Sequence, residues 1–257
     1  MTWVEGELVA RGATAEIRRG APGTVVKTFT RDLPPIVVEL EAAGTRAAMA
    51  AGLSAAALID ATPDADPPSL TFDFIEGKEL AQLYGELGAA AVGTMLAELQ
   101  HQIRQVRTPQ VINIEDFLGH QLGSPEIPEN LRAAARRDLA RLTAHSERVL
   151  CHMDLHDANV LRGPRGPVII DWMNASAAPA QADVARTRLV VGSEKFYSPD
   201  EEAELAAMLA AYIVRTEELE PEIVGASREW DRVIATARLD ENPPAAEREA
   251  ILAKWGR

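Results

Sequence analysis

The stretch VLCHMDLHDANVL, Val149 to Leu161, sets His152, Asp154 and Asn159 at fixed intervals between two apolar runs. Polar side chains interleaved with strand-like apolar residues call for a chemical reason. A second carboxylate follows: Asp171 ends the run Val168-Ile169-Ile170, which reads as a short strand and can bring Asp171 beside the loop from a neighbouring strand. One aspartate and one asparagine on a loop, with another aspartate opposite, offer oxygen ligands and a base but no soft ligand. That donor set suits magnesium, which takes one or two protein oxygens together with substrate phosphates. Asp154 is then free to accept a proton from an attacking hydroxyl, while Asn159 and Asp171 hold metal against the phosphates of a nucleotide. Each of these residues singly also suits a turn between strands. Together they point to phosphoryl transfer. A zinc site built on Cys151, His152 and His156 is disfavoured, because adjacent strand residues point to opposite faces. His152 is expected to orient the loop by hydrogen bonding, and His156 to shape the acceptor site.

Working outward, RVLCHM and PVIID read as two short strands flanking this loop. Before them, Leu80 to about Val106 and Glu129 to His145 read as long helices, and the chain from Pro199 onward is helical again, broken near Pro221 and at Pro243-Pro244. The N-terminal part differs. GELVAR, EIRR and TVVKTF are strands joined by turns at Gly12-Ala13-Thr14-Ala15 and Gly20-Ala21-Pro22-Gly23. Pro34-Pro35 then opens a helix that Gly52 ends, and SLTFDFI is a further strand. The expected architecture is α+β in two lobes: a small β-rich lobe with one helix over residues 1–76, and a larger, mostly helical lobe over residues 77–257.

The whole chain sets limits on partners. Its 257 residues, 47% of them hydrophobic, can fill a substantial core without staples, and the lone Cys151 excludes a disulfide framework. No basic leader and no long apolar run is visible, so a cytoplasmic location is expected. A formal net charge of -13 argues against nucleic acid or an anionic membrane as partner and tolerates a cationic ligand.

HMDLHDAN followed by VIIDW resembles the catalytic loop and metal-binding aspartate of the aminoglycoside phosphotransferase and choline kinase group, which has a protein-kinase-like fold. The family loop usually reads His-Gly-Asp, and here Met153 stands in the glycine's place. Trp172 occupies the position of a phenylalanine in protein kinases, and Met173 that of the following glycine. The resemblance implies a lysine on the third strand, met by Lys27, and a glutamate on the next helix to pair with it. Glu41 shares a helical face with Val37, Gly44 and Ala48, whereas Glu39 falls further round, so Glu41 is the choice. RGATAE implies a phosphate loop with Gly12 and Thr14, and Glu76-Gly77 a hinge beside which backbone groups near Asp73 and Ile75 hydrogen-bond adenine. Asp183 resembles the aspartate that starts the next helix and braces the catalytic loop.

Eleven residues separate Asp171 from Asp183, too few for the peptide platform of a protein kinase, so a protein substrate is not expected. The implied activity is an ATP- and Mg2+-dependent kinase, with GTP as the alternative nucleotide. Its acceptor is a hydroxyl of a small, amine-bearing molecule such as an aminoglycoside antibiotic. Candidate acceptor contacts are Asp157, Glu229, Trp230, Asp240 and Glu241; at helical spacing from Ile234 and Arg238, Trp230 equally suits the core. Two alternatives stay open: a metabolic kinase of choline, a sugar or an amino acid derivative, and a pseudokinase or nucleotide-binding module.

Overall fold

A meander of three strands opens the structure, a computed structural model that describes residues 4–12, 14–29, 33–107, 109–193 and 202–256. β1 (Leu8–Arg11), β2 (Ala15–Arg19) and β3 (Thr24–Phe29) pair antiparallel in sequence, and β4 (Leu58–Thr62) and β5 (Ser69–Asp73) complete a five-stranded sheet in the order β1-β2-β3-β5-β4. Gly23 turns the second hairpin at φ 85°, a conformation that costs glycine little. In the first turn Gly12 N–H bonds to the Ala15 carbonyl at 2.9 Å, while Ala13 lies outside the described residues. Lys27 sits in the middle of β3, opposite Ile17 and Leu70.

Helix α1 (Pro35–Ala50) packs on this sheet with Val38, Glu41, Ala42, Gly44, Thr45 and Ala48 buried. Proline at its start supplies a preset φ and lacks only an amide that would be unpaired there anyway. Gly52, at φ 73°, ends it. Ala15, Phe29, Val38, Ala42 and Leu70 form the small core beneath.

The remainder is mostly helical. After β6 (Lys78–Glu79) and a 3-10 turn, α2 (Tyr84–Leu87) stops at Gly88 and α3 (Ala89–Ile103) begins. Then follow β7 (Ile112–Asn113), α4 (Ile114–Gln121) and α5 (Glu129–Thr143). The loop region contributes β8 (Val149–Cys151), β9 (Val160–Gly163), β10 (Gly166–Ile169) and β11 (Ser176–Ala178). The helices α6 (Ala180–Ser193), α7 (Glu202–Leu219), α8 (Ile223–Ser227), α9 (Asp231–Arg238) and α10 (Ala245–Trp255) close the chain. The expected helix start at Pro199 lies outside the described residues. No helix of the described residues is long and apolar enough to cross a membrane.

One expectation is corrected. The strands RVLCHM and PVIID do not neighbour one another: β8 belongs to the sheet β7-β11-β8, and β10 to the sheet β10-β9-β6. The residues right after Asn159 fold back as β9 against β10, so the stretch from His152 to Asn159 spans from one small sheet to the other. The two parts of the chain also meet through backbone, because Ile169 N–H bonds to Ser54 O at 2.8 Å and Ala56 N–H to Ile169 O at 3.3 Å.

Candidate active site

Lys27, Glu41 and Asp171 come from strand, helix and loop to form one charged cluster. Lys27 Nζ donates to both Glu41 carboxylate oxygens at 2.8 Å and to Asp171 Oδ1 at 3.1 Å. Gly44, one turn beyond Glu41, makes the approach of α1 possible: a Cβ there would lie 2.5 Å from the Trp172 carbonyl oxygen and 2.7 Å from Ala175 Cβ. Burial works against the Lys27 ammonium, but the two carboxylates outweigh it and hold its pKa above the ordinary lysine value. Burial pushes the Glu41 carboxyl up to about 7, Lys27 opposing and Asp171 adding. Burial would raise Asp171 as well, but the charge of Lys27 and its hydrogen bond keep that carboxyl below the usual range. Glu39, by contrast, is exposed.

The stretch from His152 to Asn159 is tied down at almost every residue. His152 is fully buried, donates from Nε2 to the Ile170 carbonyl at 3.1 Å and lies against the Trp172 ring with centroids 4.7 Å apart. Burial lowers its pKa and favours the neutral ring. Met153 adopts φ 61°, with its N–H donating to Asp183 Oδ1 at 2.7 Å and its carbonyl accepting from Arg186 Nε at 3.0 Å. Its side chain is buried in the cluster that holds Leu139, Ala182 and Trp230. Asp183 is therefore the brace under the loop from inside the first turn of α6 rather than a cap of that helix. Thr187, one turn on, donates to Leu155 O at 3.0 Å and is itself held by Gln100 Nε2 at 2.9 Å.

Asn159 shows what its side chain is for. Its amide nitrogen donates to Asp154 O at 2.9 Å and to His156 Nε2 at 3.1 Å, which fixes the amide orientation and leaves Oδ1 with no hydrogen bond to a described residue. Asp171, held in the left-handed region at φ 61°, likewise commits Oδ1 to Lys27 and leaves Oδ2 free of described hydrogen bonds. Ile170 N–H bonds to Asn159 O at 3.0 Å and brings the two residues' backbones together. Two hard oxygen donors thus remain uncommitted at adjoining positions. Asp154 is partly exposed, and Arg186 Nη2 reaches its Oδ1 at 3.2 Å.

A cavity of about 440 Å³ lies between sheet and helical part. Val25, Phe72, Ile75, Leu161 and Ile169 give it apolar walls, Lys27, Glu41 and Asp171 line it together, and Arg19, Asp73 and Glu79 add further polar groups. Gly12 and Thr14 are outside its lining.

The candidate acceptor contacts scatter. Asp157 is buried, accepts a hydrogen bond from Tyr84 and sits 3.7 Å from His156 Nδ1, so it belongs to the loop's scaffold. Trp230 is core, 2% exposed. Glu229 pairs with Arg141 on the surface, and Asp240 is exposed beyond α9. Of the four candidates beyond the loop, Glu241 comes nearest Asp154, and it binds Arg186, which also contacts Asp154. Arg186, Thr187 and Tyr84 were not singled out from sequence. The spacing of Arg186 and Thr187 from Asp183 on one helix was the available signal.

The sequence model of the phosphotransferase enzyme family matches residues 1–223. The chain belongs to that family. Among solved structures, this phosphotransferase is similar to an aminoglycoside-3'-phosphotransferase of type VIII, at 18% identity over 93% of this chain and 92% of that one, with a TM-score of 0.59. It is similar to a choline kinase from Streptococcus pneumoniae at 14% identity over 100% and 94%, TM-score 0.62. It is also similar to an amicoumacin kinase in complex with AMP-PNP and Ca2+ at 15% identity over 97% and 86%, TM-score 0.56. These likenesses are of fold: the mixed α+β, kinase-like arrangement of a β-sheet-rich N-terminal part and a helical C-terminal part. No curated protein matches the sequence.

Proposed function

We propose that this phosphotransferase moves the terminal phosphoryl group of ATP to a hydroxyl of a small, amine-bearing molecule, with an aminoglycoside-type antibiotic as the favoured acceptor. The observation that carries the reading is the Lys27–Glu41–Asp171 cluster lining a cavity with apolar walls from Val25, Phe72, Ile75, Leu161 and Ile169, with Asn159 tied by backbone to the residue before Asp171. A cavity with apolar walls that also holds a buried cation suits a nucleotide, base against the walls and phosphates at Lys27. Residues 1–76 would cover it as one lobe and 77–257 as the other, with backbone groups near Asp73 and Ile75 toward the base and Gly12 and Thr14 above the phosphates.

Each side chain then has a separable task. Lys27, fixed by Glu41, places a point charge on the phosphates. Asp154 accepts the proton of the attacking hydroxyl, and His152, Asp183 and His156 hold the loop that carries it. The uncommitted oxygens of Asn159 and Asp171 match a hard divalent cation, and these two residues would hold Mg2+. When bound, such an ion neutralises charge developing on the transferred group. Phosphoryl transfer asks the protein chiefly for positioning and electrostatics, and the loop's dense hydrogen bonding supplies the first.

The likeness to a choline kinase supports a second reading, a metabolic kinase of an amino alcohol. A coupled assay of nucleotide consumption with Mg2+ across aminoglycosides, choline and ethanolamine separates the two. Turnover with one acceptor class is expected. Nucleotide binding with no turnover for any acceptor would replace both by a binding module.

A further inference from the structure

Arg186 is a buried cation that the roles above do not use. It lies on α6, 5% exposed, three residues after Asp183. Its guanidinium makes three contacts in three directions: Nε to Met153 O at 3.0 Å, and Nη2 to Asp154 Oδ1 at 3.2 Å and to Glu241 Oε2 at 2.9 Å. Among the described residues it is the one hydrogen-bond partner of the Asp154 carboxylate. Glu241, in the 3-10 turn after α9, is itself gripped by Arg238 Nη1 at 2.6 Å and by Gln121 Nε2 at 3.0 Å. A planar guanidinium holds direction in a way a lysine's ammonium does not. The rotamer of Asp154 is thus set from α6, and α6 is set from the C-terminal helices.

We propose that Arg186 is a positioning residue for phosphoryl transfer and that Glu241 acts on the reaction through it. The inference rests on the reading of Asp154 as the proton acceptor. Glu241, which the sequence offers as an acceptor contact, instead steers the base. Its two arginines occupy its carboxylate, so an acceptor amine gains little there. The arrangement couples the acceptor side of the molecule to the base without touching Lys27. Losing Arg186 frees the Asp154 side chain while leaving the nucleotide's contacts in place. Turnover falls and nucleotide affinity stays.

The test measures initial rates with MgATP and kanamycin, choline or water alone as acceptor, for wild type, Arg186→Met, Arg186→Lys, Glu241→Gln and the Arg186→Met/Glu241→Gln double variant. Thermal melts and ATP binding confirm that each variant is folded. Arg186→Met is expected to lower kcat by about 10–100-fold, the scale of a misplacement near 1 Å, with KM for ATP changed by no more than about twofold. Arg186→Lys recovers part of that loss. Glu241→Gln lowers kcat by about 3–10-fold, and because it acts through Arg186 the double variant is no slower than Arg186→Met alone. Full kcat in Arg186→Met, or single effects that multiply in the double variant, overturns the inference while leaving the proposed function intact. If Arg186→Met does not fold, Glu241→Gln decides alone: it is isosteric, and unchanged kcat overturns the inference. A wild type that turns over none of these probes overturns the proposed function, and the inference with it.

Discussion

Met153 stands where the family's loops usually carry glycine, and its backbone is left-handed at φ 61°. Restoring glycine would remove a steric penalty of about 1–2 kcal/mol for an L residue in that region. It would also delete a side chain that is 1% exposed within the cluster holding Leu139, Ala182 and Trp230. Truncating a buried methionine costs about 2–5 kcal/mol. Packing wins, and Met153→Gly is expected to be less stable than wild type by about 1–3 kcal/mol, or several degrees in Tm for a chain of this size. Met153→Leu, close in volume, is expected to cost less than about 1.5 kcal/mol. Neither should alter turnover more than about threefold, because Asp183 and Arg186 hold the backbone of residue 153 at both its N–H and its carbonyl. Urea unfolding gives the stabilities, and the coupled assay gives the rates. A Met153→Gly protein as stable as wild type would show that strain outweighs packing and refute the reasoning.

Other expectations follow from single contacts. Lys27→Ala leaves Glu41 buried beside Asp171 without its cation, so ATP affinity and kcat should both fall, kcat by about 100-fold or more; unchanged kinetics would remove Lys27 from the site. Gly44→Ala gains about 1 kcal/mol of helix propensity. It also drives a methyl to 2.5 Å from the Trp172 carbonyl. Overpacking costs about 1–3 kcal/mol, so a net loss in urea midpoint is predicted and a gain would contradict it. The hydrogen bonds from Arg148 hold Glu115 down at about 2, against an ordinary value of 4.5, so this pair stabilises above that ordinary value and fades as pH falls toward 2. Both side chains are partly exposed, which limits the pair to about 1 kcal/mol. Glu115→Gln should therefore lag wild type at pH 7 and approach it near pH 3, as urea titrations at the two values would show.

What the sequence made legible was chemistry tied to turns and alternation. The β-rich start, with Lys27 interrupting TVVKTF, came from alternation and turn residues, and Glu41 over Glu39 came from helical spacing, which places one buried and the other exposed. Strand adjacency was not legible. β8 pairs with the three-residue β11 and β10 with the four-residue β9, and these pair in turn with the two-residue β7 and β6; such segments are too short to carry a periodic signal, and their pairing is decided by tertiary packing. The directions of the candidate acceptor contacts were not legible for a related reason. Charges near a chain's end announce exposure, not direction, and only the fold reveals that Glu229 meets Arg141 while Glu241 turns inward to Arg186. Arg186 itself, an arginine buried on α6, is explained only by the carbonyl and two carboxylates around it.

Phosphoryl transfer with Asp154 as proton acceptor is tested most directly by Asp154→Ala, comparing ATP affinity in the presence of Mg2+ with turnover toward whichever acceptor the wild type uses. Affinity is expected to stay within about threefold while kcat falls by about 1,000-fold or more, as lost proton acceptance and lost positioning combine. Wild-type turnover in Asp154→Ala would contradict the assignment.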